Sequence, residues 1–574
     1  MHATTSLRQI SLASLLALGA ASHAAPPDAG QLLRQETDRD KAPAAQLPPT
    51  LPAAAPEKIA SDAGPVLPVT SFRIVGLQTL SDAQVQAMLA SYAGQSYSIN
   101  GLHRVAEKLE QWLRAQGLFT ARAYLPPQDI QGGVVELRVL EGRVEGIDIK
   151  RAPGTRLSDD TLRALLAGAL PPGAALEQAR LERGLLITND MPATSARAVL
   201  VPGKELGGSR VLVEAAQGPV VSGSAELDNT GNRFTGEWRA GAALYINDPS
   251  GRGDQWSLRG AASQGTSFVR AGYTLPVGSN GMKAGVSFID SHYKLCCNLS
   301  AGAPESDGDA NAMSAFISYP YVRTLQHSLS VSANLANRGF VNRSNGGKTS
   351  DKKTDSLTLA LSGDKTDLTG LTGLGGYTTY GVQWTTGELN LDGWQADRQA
   401  DKTTYATHGA YDKLTGQLSH LLRLTQTTAL YASVSAQWAG KNLDSAEKFV
   451  LGGPSGVRAY PAGEGSGDEG WLASAEWRRQ IDRTWSMVAF VDVGEVQLHR
   501  TTYTGWNATN TGINNHYALS GVGASVVWSP VIGRQITATL ATRLNDNPGR
   551  DAAGRDSDNQ EGQPRLWLQG SVAF

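Results

Sequence analysis

The sequence predicts two small α/β modules followed by an antiparallel transmembrane β-barrel of about sixteen strands. Two observations carry this. From Pro219 onward helical periodicity vanishes, and short segments alternate apolar with small polar residues. Before that point, two consecutive stretches repeat one order of elements, β-α-α-β-β. The bulk composition agrees. The 574 residues are 41% hydrophobic and 18% charged, with 64 Gly, 12 Trp and 16 Tyr. A barrel whose strands are only half apolar uses glycines in its turns and aromatic residues in its interfacial girdles.

The chain opens with Arg8, an apolar run from Ile10 to Ala21 and the small-residue site Ser22-His23-Ala24. This predicts a secretory signal peptide over residues 1–24, cut after Ala24. The run is too short to span a bilayer, which takes roughly 20 residues. No other stretch approaches that length, so a closed barrel is the remaining way for the mature chain to cross a membrane. Residues 25–66 are rich in Ala and Pro. Gln31 to Arg39 fits one short polar helix, and Ala42 to Pro56 an extended tether without a core.

Residues 67–142 read as the first module. Phe72 and Ile74 alternate as in a half-buried strand. Ser81 and Gln84 form a capping box, and Val85, Met88, Leu89 and Tyr92 follow at helical spacing up to Gly94. Asn100 is the expected cap of a second helix. Its apolar face is Leu102, Val105, Ala106, Leu109, Trp112 and Leu113, and it ends at Gly117. Strands at Tyr124-Leu125 and Val135 to Val139 close the unit. Residues 143–218 repeat the order, with helices marked by Leu162, Leu165 and Leu166 and by Leu181 to Leu186. Strands are expected at Ala196 to Leu200 and Val211 to Val213. "RIVGL" at 73–77 and "RVEGI" at 143–147 begin the two copies. Tandem modules with open strand edges suit peptide binding.

Residues 219–574 read as the barrel. Leu430, Ala432, Val434, Ala436 and Trp438 alternate with Tyr431, Ser433, Ser435 and Gln437. The apolar set faces lipid and the polar set the lumen. Segments of roughly ten residues suffice for a tilted strand. Short connectors at 278–281, 482–484 and 530–533 belong on the periplasmic side and long polar ones outside. The last segment, Arg565 to Phe574, places Leu566, Leu568, Gly570, Val572 and Phe574 on one face. It resembles the C-terminal signal by which bacterial outer-membrane barrels are recognised, which implies the barrel-assembly machinery as a partner for insertion.

A net charge of -2 gives nucleic-acid binding no electrostatic support. There is no His-Glu-x-x-His and no Gly-x-Ser-x-Gly, so no enzyme, cofactor or metal is expected. Gly347-Lys348-Thr349 lacks the first glycine of a phosphate loop, since Asn342 holds that place. Arg252-Gly253-Asp254 falls in a short turn, and Glu305, Asp307 and Asp309 read as an acidic external loop. Cys296 and Cys297 are adjacent, with Cα atoms about 3.8 Å apart, below the usual disulfide range. A vicinal bridge and a pair of thiols both remain open.

In the segment Phe490-Val491-Asp492-Val493-Gly494, the apolar face is Met487, Ala489, Val491 and Val493. Phe490, Asp492 and Gly494 therefore face the lumen. Arg458, in a long Gly-rich loop, can offer Asp492 a bidentate partner. Two separately solvated lumen charges are the other reading of these residues.

Several stretches together resemble the two-partner-secretion transporters of the TpsB type, exporters of filamentous haemagglutinin and haemolysin. They are "ARAYLPPQ" at 121–128, "VLEGRVEGI" at 139–147, "DNTGNRFTG" at 228–236, "PSGRGDQW" at 249–256, "KFVLGGPSGVRAY" at 448–460 and "FVDVG" at 490–494. The resemblance covers nearly the whole mature chain. It implies a plug helix and linker, then two periplasmic α/β POTRA modules followed by a 16-stranded antiparallel transmembrane β-barrel. It implies that Val457, Arg458 and Tyr460 on a pore loop meet Phe490, Asp492 and Gly494 on the barrel wall. The family motif usually has glycine where this chain has Ala459, whose methyl is expected to restrict the loop. The implied function is an outer-membrane pore in contact with lipid. It recognises an unfolded exoprotein by an N-terminal secretion domain in the periplasm and secretes it to the surface. A barrel-assembly factor, and behind it a diffusion porin or adhesin, are the rivals.

Overall fold

A computed structural model describes residues 26–39, 65–299, 302–507, 512–562 and 564–574. The expected signal peptide at 1–24 and most of the Ala/Pro-rich tether lie outside the described residues.

The first module forms where the spacing of apolar residues places it. Helix Asp82–Leu89 starts after Ser81, whose backbone N–H donates to Gln84 Oε1 at 3.1 Å. Helix Ile99–Ala115 starts two residues earlier than a cap at Asn100 would place it. Ser98 is the cap, and its hydroxyl accepts from the Gly101 N–H at 3.0 Å. Leu102, Val105, Ala106, Leu109 and Leu113 are buried against Phe72, Val135, Leu137 and Val139. Strand Ser71–Val75 pairs in parallel with Val134–Leu140, which pairs antiparallel with Arg122–Tyr124. Two further short strands, Leu67–Val69 and Gln95–Tyr97, pair with each other. Periodicity over three residues is too brief to reveal them. Past Pro126-Pro127, where no N–H is available to continue a ladder, the Gln128 side-chain amide takes over. It donates to Glu136 O and accepts from Glu136 N, both at 2.7 Å.

The second module has strand Arg143–Arg151, helices Asp159–Ala169 and Gln178–Asn189, and strands Thr194–Pro202 and Gly208–Gln217. Its middle strand is the last in sequence and pairs with both others, as in the first module. Arg210 Nε bonds Asp148 Oδ2 at 2.8 Å across the parallel pair, and this bond holds the Asp148 carboxyl below its usual range.

Sixteen antiparallel strands then close into a barrel, from Val221–Asp228 to Arg565–Ala573, with the last paired to the first. Lipid cannot satisfy an open sheet edge, so closure follows from the setting. The alternation holds: Leu430, Val434 and Trp438 are exposed outward, whereas Gln437 is buried inside. Several strands run well past the expected ten residues, up to the 21 of Gly347–Asp367. The connectors at 278–281, 482–484 and 530–533 lie at one end with the other short turns. The opposite end carries the long loops, although two of its connections, 263–265 and 345–346, are short as well.

The second module docks on the short-turn end. Arg323 grips Asp190 with Nε to Oδ2 at 2.8 Å and Nη2 to Oδ1 at 2.7 Å. Arg183 Nη2 reaches Pro320 O at 2.8 Å, Lys283 Nζ reaches Asp190 O at 2.8 Å, and the Ser158 N–H donates to Gly251 O at 3.0 Å. A Cβ at Gly281 (φ +86°) would stand 3.1 Å from Ile187, so this glycine permits both the turn and the close approach.

Replacing Asp190 with Ala removes the bidentate grip. The pair is partly exposed, so the expected cost is about 1 kcal/mol, or about five-fold faster amide exchange over 178–189. Hydrogen–deuterium exchange checks this, with the barrel's heat-modifiable gel mobility expected to be unchanged.

Candidate functional site in the barrel lumen

Among the described residues, two parts of the chain that do not belong to the wall occupy the lumen. The first is the connection 440–468 between strands Thr428–Ala439 and Glu469–Gln480. Its own short strands, Phe449–Val450 and Ser466–Gly467, pair with each other and not with the wall. Leu451, Val457, Ala459 and Tyr460 are fully buried against Phe490, Val496, Tyr517, Leu519 and Ala541 of the wall. Glycines make this fit possible. A Cβ at Gly494 would meet Leu451 Cδ1 at 2.5 Å, and one at Gly521 would meet Ala459 Cβ at 2.6 Å.

Arg458 stands at the tip of this loop, and Asp492 is its wall partner. Arg458 Nε donates to Asp492 Oδ2 at 2.9 Å, Nη2 to Oδ1 at 2.7 Å, and the backbone N–H to Oδ2 at 3.1 Å. The guanidinium makes two further bonds. Nη1 bonds Glu476 Oε1 at 2.8 Å, and Nη2 bonds Ser474 Oγ at 3.0 Å. The guanidinium lies 3.4 Å over the Phe490 ring. Asp492 is entirely buried. Of the two sequence readings, the structure has the paired one, with Glu476 and Ser474 added. Tyr460 donates from its hydroxyl to Asn545 O at 3.0 Å, and Trp567 Nε1 donates to Arg458 O at 2.8 Å. Glu476 and Trp567 carry no motif of their own. Their inward position follows only from strand register, and that is the signal by which they could have been found.

The methyl of Ala459 does not obstruct the loop. The positive-φ residues nearby are Gly453, Gly463 and Gly465, not Ala459. The methyl fills space that Gly521 leaves.

The base of the loop is pinned by charge. Glu447 is buried, receives Lys413 Nζ at 2.8 Å and pairs with Arg338, while the Tyr411 hydroxyl donates to it at 3.2 Å. Asp468 receives Lys448 Nζ at 2.8 Å. Both of these buried carboxylates have a cation beside them.

The second lumen part is helix Ala29–Arg39. The sequence suggested a polar helix, but Ala29, Leu32 and Leu33 are buried against Phe234, Phe268, Ile289, Tyr293 and Phe340 of the inner wall. Polar contacts hold it there as well. Ser445 Oγ donates to Asp28 at 2.6 Å, Lys352 joins Asp28 (3.5 Å) to Asp444 (2.8 Å), and Glu36 pairs with Arg239, which pairs with Asp228 at 3.2 Å. A Cβ at Gly30 would lie 3.0 Å from Ala446 Cβ. The helix therefore packs on the loop and the wall together. Cys296 and Cys297 form a vicinal disulfide, and their N–H groups both reach Phe234 O, at 3.0 and 3.3 Å.

A family model described as haemolysin secretion/activation protein ShlB/FhaC/HecB matches residues 207–520. The chain belongs to this family. A ShlB-type POTRA domain model matches residues 67–142. The heme/hemopexin transporter protein HuxB of Haemophilus influenzae is 25% identical over 489 residues, covering 84% of each chain. The outer membrane transporter CdiB of Escherichia coli is 26% identical over 484 residues, covering 83% of this chain and 79% of that one. The solved structure of CdiB from Escherichia coli superposes with a TM-score of 0.72 at 22% identity, over 91% of this chain and 93% of that one. Family membership fixes the orientation. The barrel lies in the bacterial outer membrane, the POTRA end faces the periplasm, and the protein is a two-partner-secretion transporter.

Arg458→Ala leaves Asp492 buried without its cation, at a cost of about 3–5 kcal/mol. The expected outcome is proteolytic cleavage within 440–468 and higher pore conductance in planar bilayers, with the barrel still heat-modifiable. Ala459→Gly, by contrast, is expected to change loop retention by no more than about 1 kcal/mol, read by the same proteolysis assay.

Proposed function

We propose that helix Ala29–Arg39 and the loop 440–468 together form a removable stopper, and that an unfolded exoprotein displaces both on its way out. One observation carries this: both parts fill the lumen through side-chain contacts and none of the barrel's strand ladders. Side-chain contacts can be exchanged for others without opening the wall. Arg458 and Asp492 act as the latch of the loop. The two α/β modules, at 67–142 and 143–218, act as a pair of POTRA units. Their outer strands, Ser71–Val75 and Arg143–Arg151, are edges to which the secretion domain of the exoprotein adds as an extended strand. Lipid surrounds the outward face, and the barrel-assembly machinery inserts the chain by its last strand. Residues 1–24 direct export and 25–66 tether the helix. The exoprotein is of the large secreted class, and its folding outside the cell supplies the outward bias.

Culture supernatant and outer membrane of the native host, compared with and without this gene by mass spectrometry, test the reading. One large protein is expected to leave the supernatant while other barrels persist. A joint fall of many barrels would establish an assembly factor instead.

A further inference from the structure

Arg458 holds the pore loop to strands Glu469–Gln480 and Trp485–Gln497. The other side of the same loop faces connection 544–564, which joins the last two wall strands, Arg534–Arg543 and Arg565–Ala573, at the end opposite the POTRA modules. The ladder between those two strands ends at Ala541 and Arg565. A surface connection ordinarily leaves its polar groups to water. This one buries Asn547, Asp556 and Asp558, which are 3%, 0% and 2% exposed.

Asp556 is the centre of the connection. Its carboxylate accepts from Arg543 Nη2, from Arg565 Nη2 at 3.3 Å and from Asn547 Nδ2 at 3.0 Å, and Arg550 Nε stands 3.8 Å away. Three guanidiniums thus converge on one carboxylate. The other acids nearby are placed differently. Asp558 takes Arg565 Nη1 at 2.6 Å, the exposed Asp546 lies 3.6 Å from Arg550, and Asp551 pairs with Arg555 of its own turn at 3.1 Å. Gly562 lets the arginines come together. A Cβ there would meet Arg543 Nη1 and stand 2.7 Å from Arg550 Nη2.

From this centre the connection reaches the pore loop at two points. Arg543 lies 4.6 Å over the ring of Tyr460, whose hydroxyl donates to Asn545 O at 3.0 Å. Arg543 Nε and Nη1 are buried without a hydrogen-bond partner among the described residues, which leaves the ring face to meet their charge. The second point is Glu464. It is buried, and its Oε2 accepts the Ser557 N–H at 2.9 Å. Ser557 follows Asp556 directly, so what orients the one orients the other. Gly549 admits the loop closely, since a Cβ there would stand 3.1 Å from Glu464 Oε1.

We propose that connection 544–564 is a second, outer latch on the pore loop, and that Asp556 is its positioning residue. The proposal rests on the reading of loop 440–468 as part of a removable stopper. Arg458 and Asp492 hold the loop from one side of the lumen. Tyr460 and Glu464 are held from the other, by a connection at the cell-surface end. With its charge in place, Asp556 keeps Arg543 on Tyr460 and Ser557 on Glu464. Without that charge three guanidiniums crowd one another, and the connection lifts from the loop. The loop leaves the lumen only when both sides let go.

The test uses the full chain, in lipid nanodiscs for proteolysis with cleavage sites read by mass spectrometry, and in planar bilayers for conductance. Asp556→Asn is expected to speed cleavage within 440–468 about a hundred-fold and to raise conductance, with heat-modifiability retained. Glu464→Ala removes the contact from the loop's side and leaves the bonds of Asp556 in place. It is expected to speed cleavage within 440–468 about ten-fold, and it decides the matter if Asp556→Asn does not fold. Arg458→Ala is the reference. A merely structural role predicts faster cleavage within 544–564 alone. Protection of 440–468 with unchanged conductance, in either variant once folded, overturns the outer latch, and the stopper reading stands if Arg458→Ala opens the pore in the same experiment. Arg458→Ala without a rise in cleavage or conductance removes the stopper reading and this proposal with it.

Discussion

A sixteen-strand sheet that must close on itself encloses more space than its own inward side chains can fill, and the other features of this protein follow from that constraint. Lipid forbids an open edge, so the wall cannot shrink by leaving strands unpaired. What shuts the lumen has to come from elsewhere in the chain. Two segments do so, one from the N-terminus and one from a connection between wall strands, and they pack on each other as well as on the wall through Ser445, Ala446, Asp28 and Gly30.

Beside its apolar contacts with the wall, the stopper carries matched buried charges. Asp492, Glu447 and Asp468 are buried carboxylates, and Arg458, Lys413 and Lys448 stand against them. An apolar stopper would be held by non-directional attraction and would settle in many positions. Ion pairs with bidentate geometry specify one position. Their cost of desolvation makes the net hold modest, as the proposed displacement requires.

Much of this was legible in the sequence. Alternation in Leu430 to Trp438 and the apolar faces of the module helices follow from local periodicity, and the structure agrees at those positions. The direction of Asp492 followed from the same rule, while its pairing with Arg458 came from the family resemblance, since the residues alone left two separately solvated charges equally open. Other features are non-local. Trp567 meets Arg458 across 109 positions of sequence, and Ser445 meets Asp28 across 417. No spacing rule reaches that far. The burial of Leu32 and Leu33 was missed because a helix of eleven residues with two leucines reads as polar until a wall is placed beside it. The space that receives the methyl of Ala459 is made by Gly521, on a different strand, and no local pattern reveals it.

The bond from Trp567 to the carbonyl of Arg458 ties the closing strand of the wall to the stopper. The strand that closes the wall thus also holds the stopper. On the proposed reading, displacing the stopper takes the partners from an indole N–H and several buried charges, which water and the passing polypeptide must then satisfy. The open channel is then the higher-energy state, sustained by its cargo. When the cargo has gone, the resting arrangement is downhill, and the pore behaves as a self-closing valve. A cell can then export very large chains through its permeability barrier without a separate device to seal it afterwards.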